Sequence, residues 1–243
     1  MRDGARDRPR VSVVVAALNE AESLHFVLPW LPEDVYEVIL VDGNSTDYTT
    51  QIATWLVPKI RIIQQPGRGK GNALRAGFEA ARGDIIVAID ADGSTDPVEI
   101  PLFIDALLAG ADFAKGSRLL PGAGSPDLTI PRRVVTQILC VIVRLFFGQR
   151  YTDINYGFNA FWTRMLPALD LKGEGFEIEC EMALRATIAR LNVVEIPCYE
   201  RIRSRGEAHL RPLPDGLRIV REIMRQAFIV AAQTLMVTAR PPA

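Results

Sequence analysis

The chain has 243 residues, of which 49% are hydrophobic and 23% are charged, a composition typical of a globular protein with a sizeable core. Its formal net charge of −1 provides no overall basic field, which argues against a nucleic-acid-binding protein. Its three cysteines are widely spaced and lack a Cys-x-x-Cys pair, so a disulfide framework or a zinc site is not expected, and a reducing cytoplasm fits.

The two ends of the chain and its apolar stretches bear on membrane attachment. Residues 1–10 are charged and lack an apolar run, so they are predicted to form a disordered tail rather than a signal peptide, ahead of a single domain over 11–243. The apolar stretches 138–147 and 227–239 fall short of the roughly 20 residues that a membrane span needs. Each is predicted to pack as a core helix or to lie flat on a bilayer.

Strands and helices are predicted to alternate through the first half of the chain. Residues 11–16 are apolar and mostly β-branched, as in a strand buried on both faces. This pattern favours an α/β fold with a mostly parallel, doubly wound sheet, in which ligands bind at the carboxyl ends of the strands. The other elements predicted in this half are strands at 38–41, 60–63, 85–89 and 112–114, and helices at 19–31, 47–56, 71–81 and 96–108.

The second half is less regular and ends in a helical segment. A strand is predicted at 158–162 and another at 193–196. Helices are predicted at 131–147, 178–191 and 214–236.

The segment Asp90-Ala91-Asp92-Gly93-Ser94 directly follows the buried strand at 85–89. Two carboxylates two residues apart therefore leave a strand on the side of the sheet where ligands bind. Mg²⁺ commonly takes one or two carboxylates together with substrate phosphates. A polar turn that merely caps the next helix is the alternative interpretation.

Two further loops follow strands in the same half of the chain. Asp42 follows the second strand, where a carboxylate can accept hydrogen bonds from a ribose or a base, and Asp47 is predicted to cap the following helix. The loop 67–71 contains three glycines and two cations and opens a helix, a position that favours anions. This loop lacks the spacing of a Walker loop, and a flexible basic loop is equally compatible with it.

Taken in order, these motifs resemble the family-2 glycosyltransferases of the GT-A fold, in particular the dolichol-phosphate mannosyltransferase-like branch. The resemblance covers residues 11–210. Each motif is common by itself, but the set in this order is specific. The segments that carry the resemblance are 16–20 (AALNE), 41–47 (VDGNSTD), 69–71 (GKG), 90–92 (DAD), 116–118 (GSR) and 153–159 (DINYGFN).

The resemblance implies a nucleotide-sugar donor of the UDP-glucose or GDP-mannose type and a divalent metal, Mg²⁺ or Mn²⁺. Arg118 would face an anionic phosphate, and Glu177 and Glu179 would approach the sugar or the acceptor. The residues that it places at the metal and diphosphate are Asp90, Asp92 and Ser94. Those that it places along the donor nucleotide are Ala17, Asn19, Glu20, Asp42, Gly69, Lys70, Asp90 and Ala91.

The same branch implies inverting transfer to a polyprenyl or dolichyl phosphate. Such a phosphate is already ionised near neutral pH and needs no strong base, whereas a soluble hydroxyl acceptor would need a carboxylate, with Asp153 and Glu179 as candidates. Asn159 departs from the branch by replacing an arginine, and 206–210 lacks the usual Ser and Lys, with His209 as a stand-in.

A basic and apolar surface is predicted to attach the protein peripherally to the cytoplasmic face of a membrane. The arginines of its segment 200–211 could instead bind an acceptor phosphate, and a solvated basic face is the remaining alternative. The oligomeric state is left open. The cations of this surface are Arg132, Arg133, Arg144, Arg203 and Arg205.

Two other classes compete with a glycosyltransferase. A sugar nucleotidyltransferase normally has its glycines in the first strand–helix loop, where this chain has none at 17–20. A non-catalytic nucleotide-binding module would not need the paired carboxylates Asp90 and Asp92.

Overall fold

The computed structural model describes residues 8–203 and 212–238. A seven-stranded sheet runs through it in the order β3-β2-β1-β4-β6-β5-β7. Most of the tail predicted at 1–10 and all of 206–210 lie outside the described residues. The strands are β1 (Val11–Ala17), β2 (Glu37–Asp42), β3 (Arg61–Gln64), β4 (Ile85–Asp90), β5 (Phe113–Ser117), β6 (Asn159–Trp162) and β7 (Val193–Pro197).

Helices flank this sheet, and the long segments predicted as helices after residue 47 are confirmed with shifts of a few residues at their ends. The short helix Leu166–Leu169 was not predicted. The helices are α1 (Thr49–Leu56), α2 (Lys70–Ala80), α3 (Ile100–Leu108), α4 (Ile130–Phe147), α5 (Leu166–Leu169), α6 (Ile178–Ile188) and α7 (Pro212–Thr238).

The sheet is mostly parallel, as predicted, with one antiparallel strand. β1 to β4 pair in parallel, and so do β5 and β7, whereas β6 runs antiparallel between β4 and β5. Because β6 runs against its neighbours, it begins at the edge where they end. The segment that precedes β6 therefore lies at the carboxyl edge, where parallel sheets bind their ligands.

The alternating residues of the buried strands supply both faces of the core. In β1, Val13 and Val15 pack on one face and Val14 on the other, and all three are fully buried. Phe103 of α3 stacks on Phe158 with ring centroids 4.0 Å apart. This double burial explains why the strands are continuous apolar runs rather than alternating ones.

The predicted helix at 19–31 is wrong. This segment forms a loop with two short 3-10 helices, Ser23–Phe26 and Leu28–Trp30. Asn19 adopts a left-handed conformation, and its side-chain oxygen accepts from Thr46 N at 2.7 Å instead of capping a helix. Pro29 has no N–H to donate inside a helix, which favours a broken segment here.

Asp47 was predicted as the N-cap of α1, but the N-cap residue is Tyr48, and Asp47 contacts the start of the helix from one position earlier. Its Oδ1 accepts from the backbone N of Thr49, the first residue of α1, at 3.0 Å. The three cysteines of the chain are buried free thiols. Within 8–203 and 212–238, every helix is too short or too polar to cross a membrane.

Candidate active site

The ends of three adjacent parallel strands bring the predicted donor-site residues together. The register pairs Ala17 of β1 with Asp42 of β2, and Ala16 of β1 with Asp90 of β4. The Asp42 carboxylate is buried and accepts from Ser45 N at 3.2 Å and from Gln64 Nε2 at 3.3 Å. The carboxyl edge of the sheet therefore presents fixed carboxylates side by side, as the sequence predicted.

A buried lysine links Asp90 to helix α6. Lys70 Nζ lies 2.5 Å from Asp90 Oδ1 and 2.6 Å from Glu179 Oε1. Burial lowers the pKa of Lys70, but the two carboxylates outweigh it and leave the pKa well above its ordinary value. Burial raises the pKa of Glu179, which is almost completely enclosed. Lys70 is therefore a cation held between two acids at the carboxyl edge of the sheet.

Gly157 leaves room for this ion pair. A Cβ at this position would lie 2.7 Å from Asp90 Oδ2 and 2.9 Å from Lys70 Nζ, closer than real side chains approach. The sequence identified Gly157 only as one letter of a motif. Its position just before an antiparallel strand that starts at the carboxyl edge is the feature that reveals its role.

Asp92 lies beside a second cation, Arg203. Arg203 Nη1 is 3.3 Å from Asp92 Oδ2, and its Nη2 forms an ion pair with Glu20. The other Asp92 oxygen accepts from Ser94 N at 3.0 Å. Burial raises the pKa of Glu20 to about 7, with a further contribution from the charge of Asp92, although Ser23 and Arg203 oppose the shift.

The structure thus places Arg203 beside Asp92 and Glu20, whereas the sequence predicted only that it binds an acceptor phosphate or an anionic membrane surface. The signal that could have identified it is its position a few residues after β7, which is parallel to β5 and ends at the same edge of the sheet. Arg205 lies outside the described residues.

The carboxylates of Asp90 and Asp92 are suitable ligands for a divalent metal ion that is also coordinated by substrate phosphate. Asp90 and Asp92 each contact a cationic side chain, Lys70 and Arg203, so both carboxylates stabilise positive charge. Ser94 is buried next to them. The described residues include no cluster of three or more acidic, His or Cys ligands. Two carboxylates plus substrate phosphates is the arrangement that Mg²⁺ commonly adopts.

Arg118 is held by two acids at the end of β5. Its guanidinium contacts both oxygens of Asp153, with Nε 2.7 Å from Oδ2, and its Nη1 lies 3.2 Å from Glu200. Burial raises the pKa of Asp153, but Arg118 outweighs it, assisted by Lys115, and the pKa lies below its ordinary value. Asp153 is thus fully buried and bound to a cation, which suits a counter-ion better than a general base.

Most of the remaining predicted residues form hydrogen bonds that connect the loops around the site. Asn19 N donates to Ser45 Oγ at 2.9 Å, which ties the first loop to the second, and Ala91 is buried between Asp90 and Asp92. Gly69 O accepts from Gln65 Nε2 at 2.8 Å at the start of α2. Glu177, expected near the sugar, instead accepts backbone hydrogen bonds at 3.0 and 2.9 Å from the loop before α6.

The sequence matches the model of glycosyl transferase family 2 over residues 12–188, which is most of the chain. The chain belongs to that family. It is 32% identical over 215 residues to the undecaprenyl-phosphate mannosyltransferase of Micrococcus luteus, covering 83% of this chain and 87% of that protein. It is 33% identical over 229 residues to a low-salt glycan biosynthesis hexosyltransferase of Haloferax volcanii. That match covers 90% of this chain but only 54% of the Haloferax protein, so the chain spans about half its length.

Solved structures support the same fold. Glucosyl-3-phosphoglycerate synthase of Mycobacterium tuberculosis, crystallised with Mn²⁺, UDP-glucose and phosphoglyceric acid, superposes with a TM-score of 0.72 at 22% identity. The match covers 90% of this chain and 80% of that one. The chain is therefore a member of the family-2 glycosyltransferases with an α/β fold of the GT-A type, and this family match disfavours a sugar nucleotidyltransferase.

Proposed function

We propose that this glycosyltransferase transfers a hexosyl group, with inversion, from a UDP-glucose or GDP-mannose type donor to a polyprenyl or dolichyl phosphate. The observation that carries the proposal is the row of carboxylates at the carboxyl edge, with Asp42 on β2 and Asp90 on β4 flanking the end of β1. The matched undecaprenyl-phosphate mannosyltransferase supports the acceptor class, and the UDP-glucose complex of the M. tuberculosis enzyme supports the donor class.

The first two loops are suited to bind the nucleotide. Asp42 offers buried carboxylate oxygens as hydrogen-bond acceptors for a ribose or a base. Glu20 and Asn19 lie in the loop directly after β1, and Asn19 is tied to the Asp42 loop through Thr46. The remaining members of the proposed donor site, on and around these loops, are Ala17, Gly69, Lys70, Asp90 and Ala91.

Asp90 and Asp92, with Ser94 beside them, would hold Mg²⁺ or Mn²⁺. When bound, such an ion neutralises the charge that develops on the departing nucleoside diphosphate. Lys70 adds positive charge at the same edge. Its ion pairs with two acids fix its ammonium group, which would stabilise the negative charge of a donor phosphate.

A phosphate acceptor agrees with the contacts of Asp153, one of the two candidate bases. Asp153 has both oxygens on Arg118, and a phosphate oxygen that is already ionised needs no proton acceptor. Arg118, close to the same edge, is the cation proposed to face the acceptor phosphate. The alternative, a soluble hydroxyl acceptor, is favoured by one observation, which is that burial raises the pKa of Glu179 beside Lys70. Glu179 would then be the base.

The surface of α4 supports peripheral attachment to the cytoplasmic face of a membrane. The inner face of α4 packs on the core through Leu139 and Val143, while its outer face leaves an apolar stripe in contact with solvent. Exposed arginines 132, 133 and 144 belong to the same helix, and cations near an anionic leaflet contribute about 1 kcal/mol each. The stripe consists of Ile130, Val134, Ile138, Val141 and Leu145.

The acceptor is tested by partition of a labelled product. Enzyme and Mn²⁺ are incubated with labelled UDP-glucose or GDP-mannose and undecaprenyl phosphate, and the mixture is extracted into organic solvent. Undecaprenol, which lacks the phosphate, is the matched control, and soluble sugars form a third arm. Organic-phase label that requires the phosphate supports the proposal. Label that stays aqueous and requires a soluble sugar would replace the lipid acceptor with the hydroxyl alternative.

A further inference from the structure

The loop at 172–175, just before α6, forms the back wall of the Gly69-Lys70-Gly71 turn. Asn72 N donates to Glu174 O at 3.2 Å. A Cβ on Gly69 would collide with the carbonyl oxygen of Glu174, and one on Gly71 would collide with that of Gly173. The two segments are therefore in direct backbone contact, and the position of Lys70 depends on where this loop lies.

Glu181, on the first turn of α6, holds that loop in place. Its Oε2 accepts from Gly173 N at 2.6 Å, and both of its oxygens lie 3.1 Å from Lys172 N. The side chain is completely buried. A carboxylate that accepts two backbone N–H groups in a buried place forms strong, directional hydrogen bonds.

Glu181 also contacts helix α7, but this contact is longer than its contact with the loop. Arg225 Nη2 lies 3.2 Å from Glu181 Oε1, a longer contact than the 2.6 Å bond to Gly173 N. The shorter contacts of Arg225 are with Glu222, at 2.8 Å from both Nε and Nη2. The tighter attachment of Glu181 is thus to the loop, not to the neighbouring helix.

We propose that Glu181 is a positioning residue for glycosyl transfer. It fixes the 172–175 loop against the Gly69–Gly71 turn and so sets Lys70 between Asp90 and Glu179. The first turn of α6 then acts twice on the same lysine, directly through Glu179 and indirectly through Glu181. This inference rests on the proposed function, because it takes Lys70 as part of the donor site.

The first test is hydrogen exchange of the protein without nucleotide. In Glu181→Ala, the amides of residues 69–72 should exchange about tenfold faster, since the loss of the hydrogen bonds from Lys172 N and Gly173 N loosens the loop behind them. Glu181→Gln keeps one oxygen for Gly173 N and should restore most of the protection. Arg225→Gln, the matched control, removes the contact with α7 and should leave 69–72 unchanged. Unchanged exchange in folded Glu181→Ala would overturn the proposal.

The second test is a double-mutant cycle with Lys70→Ala, read as the turnover and KM of UDP-glucose and GDP-mannose in separate assays. Glu181→Ala alone should raise the donor KM and lower kcat. In the Lys70→Ala background it should change kcat/KM by less than about twofold, because residues that act through one another are not additive. Fully additive effects would assign Glu181 to stability alone and overturn the proposal.

The two tests separate this inference from the proposed function. If Lys70→Ala leaves turnover and KM unchanged, Lys70 has no part in donor binding and the proposed function loses that residue. The exchange measurement still decides whether Glu181 positions the turn, since it needs neither donor nor acceptor.

Discussion

Glu37 at the amino edge of the sheet and two acids at the carboxyl edge, Glu20 and Glu179, are held in opposite ways. At the amino edge, Glu37 of β2 accepts from Ser12 Oγ and from Arg82 N, each at 2.7 Å, and pairs with Arg61. Burial raises the pKa of Glu37, but these contacts outweigh it and leave the pKa below its ordinary value. At the carboxyl edge, burial dominates instead and raises the pKa values of Glu20 and Glu179.

Asp153, at the carboxyl edge, resembles Glu37, because the pKa of its carboxyl is also lowered. The contacts of Glu20 and Glu179 do not outweigh burial. An acid with a lowered pKa has its ionised form fully satisfied by the protein. At the carboxyl edge, Lys70 and Arg203 are shared among four carboxylates, so each of these cations contacts two acids. The four are Glu20, Asp90, Asp92 and Glu179.

The largest effect is expected from Asp92→Asn. Because Asp92 is one of two carboxylates proposed to hold the metal, turnover should fall by about two orders of magnitude or more, as it does when a main source of transition-state stabilisation is removed. Steady-state kinetics with a Mn²⁺ titration measures it. The unfolding temperature should stay close to that of the natural chain.

Asp84→Asn is the matched control at the amino edge. Asp84 also pairs with an arginine, Arg10, with Nη2 3.3 Å from Oδ1, but it lies at the other end of β4. The Asp84→Asn substitution should therefore leave turnover unchanged. Full activity of Asp92→Asn in the presence of a chelator would refute the metal role.

A smaller loss is expected from Gly157→Ala. The added methyl would lie 2.7 Å from Asp90 Oδ2 and 2.9 Å from Lys70 Nζ, so the ion pair must shift. A displacement of about 1 Å at a catalytic site can cost on the order of 100-fold in rate, and kcat/KM should fall by about 10- to 100-fold.

Gly216→Ala provides the control, because a Cβ there meets nothing within 4 Å. Gly216 lies in α7, where alanine is the better helix former, so its activity should be unchanged. Equal activities for the two variants would show that the site tolerates movement of Lys70 and Asp90.

Asp42→Ala should act on donor binding rather than on turnover. The variant removes a buried acceptor at the end of β2, and the free energy of donor binding should weaken by roughly 1–3 kcal/mol. Calorimetric titration of UDP and of GDP, each with Mn²⁺, measures the change. Affinity equal to that of the natural chain for both nucleotides would remove Asp42 from the donor site.

The fold and the positions of the acids that follow the first four strands could be predicted from the sequence, because both depend on local patterns. Apolar runs predict buried strands, and the residue after such a strand must lie at the carboxyl edge, so Asp42, Asp90 and Asp92 follow directly from their positions.

Pro29 is a local signal against the predicted helix at 19–31, but the other misses depend on contacts between residues far apart in the sequence. The loop at 19–31 follows from Asn19 in a left-handed conformation that is stabilised by Thr46, a residue far along the chain. Arg203 pairs with Glu20 across 183 positions, and its neighbours in sequence suggest only a basic stretch. The positions of both residues require the strand order, which the sequence did not provide.

The smallest effect is expected at the amino edge, from Glu37→Gln. The folded-state pKa of Glu37 lies below its ordinary value of 4.5. Its contribution to stability is therefore present above about pH 4.5 and is lost as the pH falls through the folded-state pKa. At pH 7, Glu37→Gln should lower the free energy of unfolding by about 1 kcal/mol, the usual value of a hydrogen bond to a part-buried group.

Denaturant unfolding of Glu37→Gln and the natural chain, at pH 7 and again below pH 4, measures this difference. The deficit should narrow at the lower pH, because protonation removes from the natural chain the charge that the variant lacks. Turnover at pH 7 should be the same for both, since Glu37 lies at the opposite end of β2 from Asp42. A deficit independent of pH would mean that Glu37 acts by packing rather than by its charge. A loss of turnover without a loss of stability would contradict the separation of the two edges.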